Sequence, residues 1–383
     1  MEIVIVAFLL LVFFMIEIVF FKIILKRGLN YSLTFSKFEA FEGEDMFVDE
    51  EIYNRKPFPV PWVKADIHSS KWLEFAGASS SVVDERRFVT SGFVLKAYQR
   101  TRRRWYMKCT KRGVFDIDNA TVTCGDILGL ITESKAVPVN RRLVVYPGMT
   151  DIDEMFFSTK DILGEAVVKR FILDDPFIVK GIRDYVPGDA INRINWKATA
   201  KTGGLMVNEN DFTTKVGITV LMNVQSDYEE FDFVKNRDVI ELAIKVSSTI
   251  LNRGFRQAVP IRYGSNASTY DDADNMILTE SGTGQEHMRH MLYKLAQVRL
   301  KNIRDFAIYL SMLESQIRDT QIYIVTAYMC DEIADEARRL AVLDNTVKIL
   351  VLDTRMEEGN QYRDLEIFYM KRRPWKTEGE LPQ

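Results

Sequence analysis

Arg183, Asp184, Asp189, Arg193 and Lys197 set two acids among three bases within a short stretch of chain. Asp184 and Asp189 could in principle serve as an acid–base pair. That chemistry needs their pKa values driven apart, and the adjacent bases would instead keep both ionised. The same stretch carries Tyr185, Trp196 and Lys201, and Pro187-Gly188-Asp189 reads as a turn in which Gly188 relaxes the backbone and Asp189 can cap the next segment. Trp196 is a large apolar anchor whose indole nitrogen wants an acceptor. Two uses fit this cluster. It could form a network of buried ion pairs that clamps two domains, or a surface that presents charge to a partner. No nucleophile, base and orienting group can be assembled with it, and no Gly-rich phosphate cradle is present. The expectation is therefore a binding protein and not an enzyme, with a carboxylate-dependent hydrolase as the remoter alternative.

Other constellations are weaker. His287 and His290 stand three residues apart on an expected helix, but no third ligand lies near them, so a solvated helix face is the plainer reading. Arg100, Arg102, Arg103 and Arg104 run into Trp105, Tyr106 and Lys108, a basic run with interleaved aromatics. On an alternating strand such a run suits anionic lipid or acidic partner groups better than nucleic acid. The net charge of -3 also argues against a dedicated nucleic-acid binder. Three cysteines, Cys109, Cys124 and Cys330, exclude a full disulfide framework and lack metal-type spacing, although one Cys109–Cys124 bridge stays open.

The elements that position these residues divide the chain. Within residues 1–27, Ile3–Phe21 is almost wholly apolar, interrupted only by Glu17, and could cross a bilayer core of about 30 Å as a helix. Lys22, Lys26 and Arg27 follow the run and no base precedes it, which places the remainder in the cytoplasm. The expectation is a single-pass protein of the cell membrane. From 28 to 150, short β-branched and aromatic segments alternate with turn residues, which predicts an immunoglobulin-like β-sandwich. Residues 151–215 read as a connector carrying the charged cluster. From 216 to 355, buried-strand runs such as Val216–Met222 alternate with helical spacing, as in a doubly wound α/β domain. A helix over Asn236–Asn252 is expected to end at Gly254, and 356–383 reads as a tail.

The stretch IRDYVPGDAINRINWKATAK closely resembles the signature of the family called domain of unknown function 58. Arg183, Tyr185, Pro187, Gly188, Asp189, Arg193, Ile194, Trp196, Lys197 and Ala200 match its pattern, while Lys201 stands where an Arg is usual. Upstream, KRGVF at 111–115, CGDILGL at 124–130 and LVVYPG at 143–148 resemble further family blocks. The resemblance implies a membrane anchor, a sandwich and a von Willebrand factor A-like domain. As partners it implies a MoxR-type AAA+ ATPase and a transglutaminase-like membrane protein. Von Willebrand A domains often hold Mg²⁺ on a loop after the first strand. Here that loop offers Asn223, Gln225 and Asp227, a degenerate set, so no cofactor is expected and a metal-dependent adhesion domain is the alternative function.

Overall fold

The computed structural model describes Phe8, Val12, Met15 and residues 28–126, 132–155, 174–186, 194–212, 217–230, 233–352 and 362–370. Two compact units emerge, Met1–Gly148 with Leu292–Gln297, and Met149–Met291 with Val298–Gln383.

In the first unit, residues of alternating polarity form two facing sheets. One has the order β1 (Leu29–Phe35), β3 (Asp45–Asn54), β8 (Arg100–Cys109), β5 (Leu73–Phe75). The other has the order β2 (Glu39–Phe41), β10 (Thr132–Tyr146), β9 (Gly113–Gly125), β4 (Val60–Ser70), β7 (Arg86–Leu95), β6 (Ser79–Val83). Alternate residues of β3, of β4 from Val63 onward and of β8 from Trp105 onward are buried, so Val48, Ile52, Val63, Ile67, Trp105 and Met107 interdigitate in one core. The sandwich expectation holds for these residues. Cys109 and Cys124 are buried in it and free, so the open disulfide option closes.

The second unit begins with α1 (Ile152–Met155) and an antiparallel hairpin of β11 (Asp174–Asp184) and β12 (Met206–Phe212), with α2 (Trp196–Thr202) between its strands. Its main sheet has the order β16 (Ile277–Leu278), β14 (Ile261–Ser265), β13 (Gly217–Met222), β18 (Thr320–Thr326), β19 (Thr346–Val351), β20 (Glu366–Tyr369). All its pairings are parallel except β14 with β16. Helices α3 (Arg237–Arg256), α4 (Gln285–Gln297), α5 (Phe306–Leu313) and α6 (Asp331–Val342) connect it, and a small pair of β15 (Ala267–Thr269) and β17 (Val298–Asn302) stands beside it. The apolar runs are the reason for this arrangement. Val220, Leu221, Ile322, Ile324 and Ile349 have no exposed surface, as strands covered on both faces require. The chain leaves β13 toward β14 and later returns to its other side as β18, which makes the β13–β18 boundary the point where strand order reverses.

Several expectations need correction. The fold class was to open with a transmembrane helix, yet among the described residues no helix is long and apolar enough to cross a membrane. The expected span at 1–27 lies outside the described residues except for Phe8, Val12 and Met15. A single-pass location in the cell membrane loses its support with it. Apolar composition shows that a segment avoids water but does not fix the structure in which it does so. Strand also outweighs helix across the described residues, with few helices to cover so much sheet. Finally, α3 runs past Gly254 to Arg256 and is capped at Gln257. A Cβ at Gly254 would lie 2.7 Å from Ile261 Cγ2, so this glycine serves close packing of helix on strand.

Candidate functional site

The reversal of strand order directs attention to the loops after β13 and β18, where open α/β sheets commonly bind ligands. Those loops hold a buried, uncharged amide network. Asn223 donates to Thr326 Oγ1 at 3.1 Å, and Thr326 donates onward to the Tyr328 carbonyl at 2.9 Å. The Asn266 amide nitrogen points at three oxygens: Asn223 Oδ1 at 3.2 Å, Gln225 Oε1 at 3.2 Å and the Arg304 carbonyl at 3.1 Å. Its own oxygen accepts from the Val224 N–H at 2.9 Å. Gln225 Oε1 also accepts from the Phe306 N–H at 3.0 Å, at the start of α5. One asparagine thus ties three parts of the chain, its own segment, the loop after β13 and the approach to α5, and it has no exposed surface.

A second hub lies beside the first. Glu230, also buried, accepts from the Ser226 hydroxyl, from the Ser226 N–H at 2.6 Å and from the Lys235 N–H at 2.7 Å. Gln225 donates to the Glu230 carbonyl at 3.2 Å, and Ser226 Oγ accepts from the Asn236 N–H at 2.9 Å. Of the degenerate set, Asn223 and Gln225 enter this network, whereas Asp227 stands outside it near Lys235 at 3.9 Å. The oxygens around Asn266 come from amides and a carbonyl with no carboxylate among them. That donor set is a poor match for a hard divalent cation. Among the described residues no three His, Cys, Asp or Glu side chains gather to hold a metal.

The signature hairpin is built differently. Asn195 caps α2 by accepting from the Ala198 N–H at 3.0 Å. Gly203 ends α2 at φ 74°, the left-handed geometry in which glycine avoids a Cβ clash. Backbone bonds from Tyr185 to Leu205 at 2.9 Å and from Asn195 to Met206 at 2.8 Å close the motif. Val207 is buried beneath, but Trp196 is 66% exposed, and Asp184, Lys197 and Lys201 are exposed too. Ile182, Val186 and Leu205 add exposed apolar surface to the same hairpin. Arg183 is half-buried and donates to the Asp184 carbonyl at 3.0 Å, and Tyr185 is half-buried. Gly188, Asp189 and Arg193 lie outside the described residues.

The remaining candidates have local partners. The outward arginines of β8 face acids on β3: Arg104 makes a bidentate pair with Asp49 at 2.8 and 2.9 Å, Arg102 approaches Asp49 at 3.4 Å and Arg100 meets Glu51 at 3.5 Å. The Arg104 hydrogen bonds hold the Asp49 carboxyl below the usual range. His287 bonds the Ile261 carbonyl at 2.9 Å, a tie between helix and strand. Burial pushes the Cys109 thiol up to about 11 and the Cys330 thiol up to about 12, which suits neither to nucleophilic work at neutral pH.

Sequence reading missed Asn266 and Glu230. Asn266 closes a buried strand at the sheet's C-terminal edge, a position that could have flagged it, but in sequence it registers only as part of a chance glycosylation sequon.

The second unit is thus a helix-flanked parallel sheet with a sealed polar knot at its reversal point and an exposed accessory hairpin. Residues 181–360, which include most of that unit, match the family described as "Protein of unknown function DUF58". The uncharacterized protein YeaD of Bacillus subtilis (strain 168) is 20% identical over 273 residues, which cover 70% of this chain and 62% of YeaD. A non-cellulosomal cohesin from Archaeoglobus fulgidus matches 30% of this chain and 91% of its own length at 15% identity and TM-score 0.21. A CARDB domain from Pyrococcus furiosus matches 30% of this chain and 91% of its own at 10% identity and TM-score 0.19. Likeness at those scores has no bearing on function.

Proposed function

We propose that this chain is a protein-binding module that meets its partner through the signature hairpin. The observation behind this is the exposure of Trp196 beside Lys197 and Lys201, on a hairpin that also leaves Ile182, Val186 and Leu205 in water. An indole held in solvent forgoes the burial that stabilises most tryptophans, and Trp is the residue type most enriched at binding hot spots. Flanking lysines add attraction to an acidic partner and speed encounter. Resemblance to the DUF58 family makes a MoxR-type AAA+ ATPase the partner of choice. Among the described residues, the carboxylate at the strand reversal, Glu230, is buried and taken up by the Ser226 and Lys235 donors, which supports binding over catalysis.

The test is calorimetric titration of the purified chain with the MoxR-type ATPase of the same organism, comparing wild type with Trp196→Ala. The expected result is binding that weakens by about tenfold or more in the variant. Equal affinity for the two would remove the hairpin from the interface, and no binding by wild type would remove that partner.

A further inference from the structure

We infer that two copies of this chain pair through β6, the edge strand of the six-stranded sheet, to form a symmetric dimer. The site is independent of the signature hairpin and lies wholly in the first unit. β6 reads Ser79-Ser80-Ser81-Val82-Val83, and all of it is exposed, Val82 at 49% and Val83 at 57%. Among the described residues β6 pairs with β7 alone, and the facing sheet sets only four strands against six.

A strand edge in water is a template for another backbone, and proteins normally blunt it with charge, proline, a bulge or a covering segment. β6 carries no charged residue and no proline, its register with β7 runs unbroken from Ser79–Thr90 to Val83–Arg86, and its side chains stand in water. In an antiparallel pair alternate residues turn both backbone groups away from their partner, so β6 presents donors and acceptors along its open side. Shortness is the guard it does have. A strand of 5 residues makes a small contact. An interface under about 1,200 Å² belongs with weak, reversible association.

The composition of the strand selects a second copy as its occupant. Identical strands pair antiparallel about a twofold axis, with each contact made twice. Residues directly opposite must share a face of the sheet, so the axis passes through a residue, and pairing the whole strand places Ser81 there. Ser80 then faces Val82 of the partner subunit, and Ser79 faces Val83 of the partner subunit. Asp84, the first charge beyond the strand, meets Ala78 of the partner subunit. No like charges are opposed along this register, and both exposed valines of each copy come against the other. Arg87 of β7 donates to Ser80 Oγ at 3.1 Å, which helps hold β6 in line for the pairing.

The test is sedimentation velocity of the full chain from about 1 to 100 µM, comparing wild type, Ser81→Lys, Ser81→Glu and an equal mixture of the two variants. Wild type should dimerise within this range. Either variant alone should weaken the dimer about fivefold or more, because two like charges then face each other on the axis. The mixture should recover it, since opposite charges then meet. A wild type that stays monomeric at about 100 µM would overturn the proposal, as would variants that associate as wild type does. A mixture no better than its components would overturn the pairing of β6 with its own copy. Should either variant fail to fold, disulfide formation by Ser81→Cys under mild oxidation decides: cross-linking faster than in wild type is expected, and an equal rate would overturn the proposal.

Discussion

The loops at the strand reversal and the signature hairpin handle polar residues in opposite ways. The reversal point gathers Asn223, Gln225, Asn266, Ser226 and Glu230 out of water and gives them a dense set of mutual hydrogen bonds. On the hairpin, Asp184, Lys197 and Lys201 stay in water with an indole beside them. Hydrogen-bond supply accounts for much of this: the amides and the Glu230 carboxylate are buried among donors and acceptors that meet them, whereas an ammonium must keep water or find a well-placed counter-ion. The buried loops thus suit a structural role, and the exposed hairpin is where a partner can gain contact.

The sharpest way to break that comparison is Asn266→Ala. It removes the donor to three oxygens and the acceptor of the Val224 N–H, leaving buried groups unmet. At about 1–3 kcal/mol per orphaned group, partly relieved by relaxation, the loss should reach about 3 kcal/mol. Denaturant titration followed by fluorescence would measure it. A loss below about 1 kcal/mol would mean that the network is not structural and that these loops are free to serve a ligand.

The sandwich supplies a second buried polar hub against which to calibrate the first. Glu50 has no exposed surface and accepts from Tyr31 Oη at 2.8 Å, Ser91 Oγ at 2.6 Å and Trp105 Nε1 at 3.0 Å. Glu50→Gln keeps the shape but turns an amide donor toward groups that already donate. A loss of about 2 kcal/mol is expected in the same titration. An unchanged midpoint would show that the Trp105 indole finds another acceptor.

Alkaline pH probes both units together. Burial raises the Tyr309 hydroxyl far above its ordinary value, and burial, then the Glu50 charge, raises Tyr31 likewise. The native state keeps these protons while the unfolded chain gives them up above pH about 10. Stability contributed by each group is thus full below that pH and falls as pH rises, by about 1.4 kcal/mol per pH unit for each tyrosine. Absorbance of tyrosinate should show these groups titrating only as the chain unfolds. Free titration in the folded protein near pH about 10 would contradict their burial.

These differences also explain how much could be read from sequence. The run GITVLM of β13 is apolar at nearly every position, and a strand covered on both faces is the structure such a run forms. The sandwich turns were legible because Gly and Pro punctuate them. Gly254 was misread as a helix cap because sequence shows that a glycine is near a helix end, but not that a strand presses on it. Glu50 was lost inside Asp49-Glu50-Glu51, although it shares strand parity with Val48 and Ile52 and so had to face inward. The signature was conspicuous for its charge and its Trp, yet the same letters fit a clamp or a surface. The exposure of Trp196, Lys197 and Lys201 is what favours the surface reading proposed above.

The smallest expected stability effect falls on the residue with the largest expected functional one. Trp196→Ala should change unfolding stability by no more than about 0.5 kcal/mol, because the indole is mostly in water and α2 keeps its Asn195 and Gly203 caps. Alanine is also the better helix former, which offsets part of the little packing that is lost. If the partner titration falls while the unfolding midpoint stays, the hairpin acts by contact. If stability drops by about 2 kcal/mol or more, the indole packs against the protein in solution, and a binding loss would then report damaged structure.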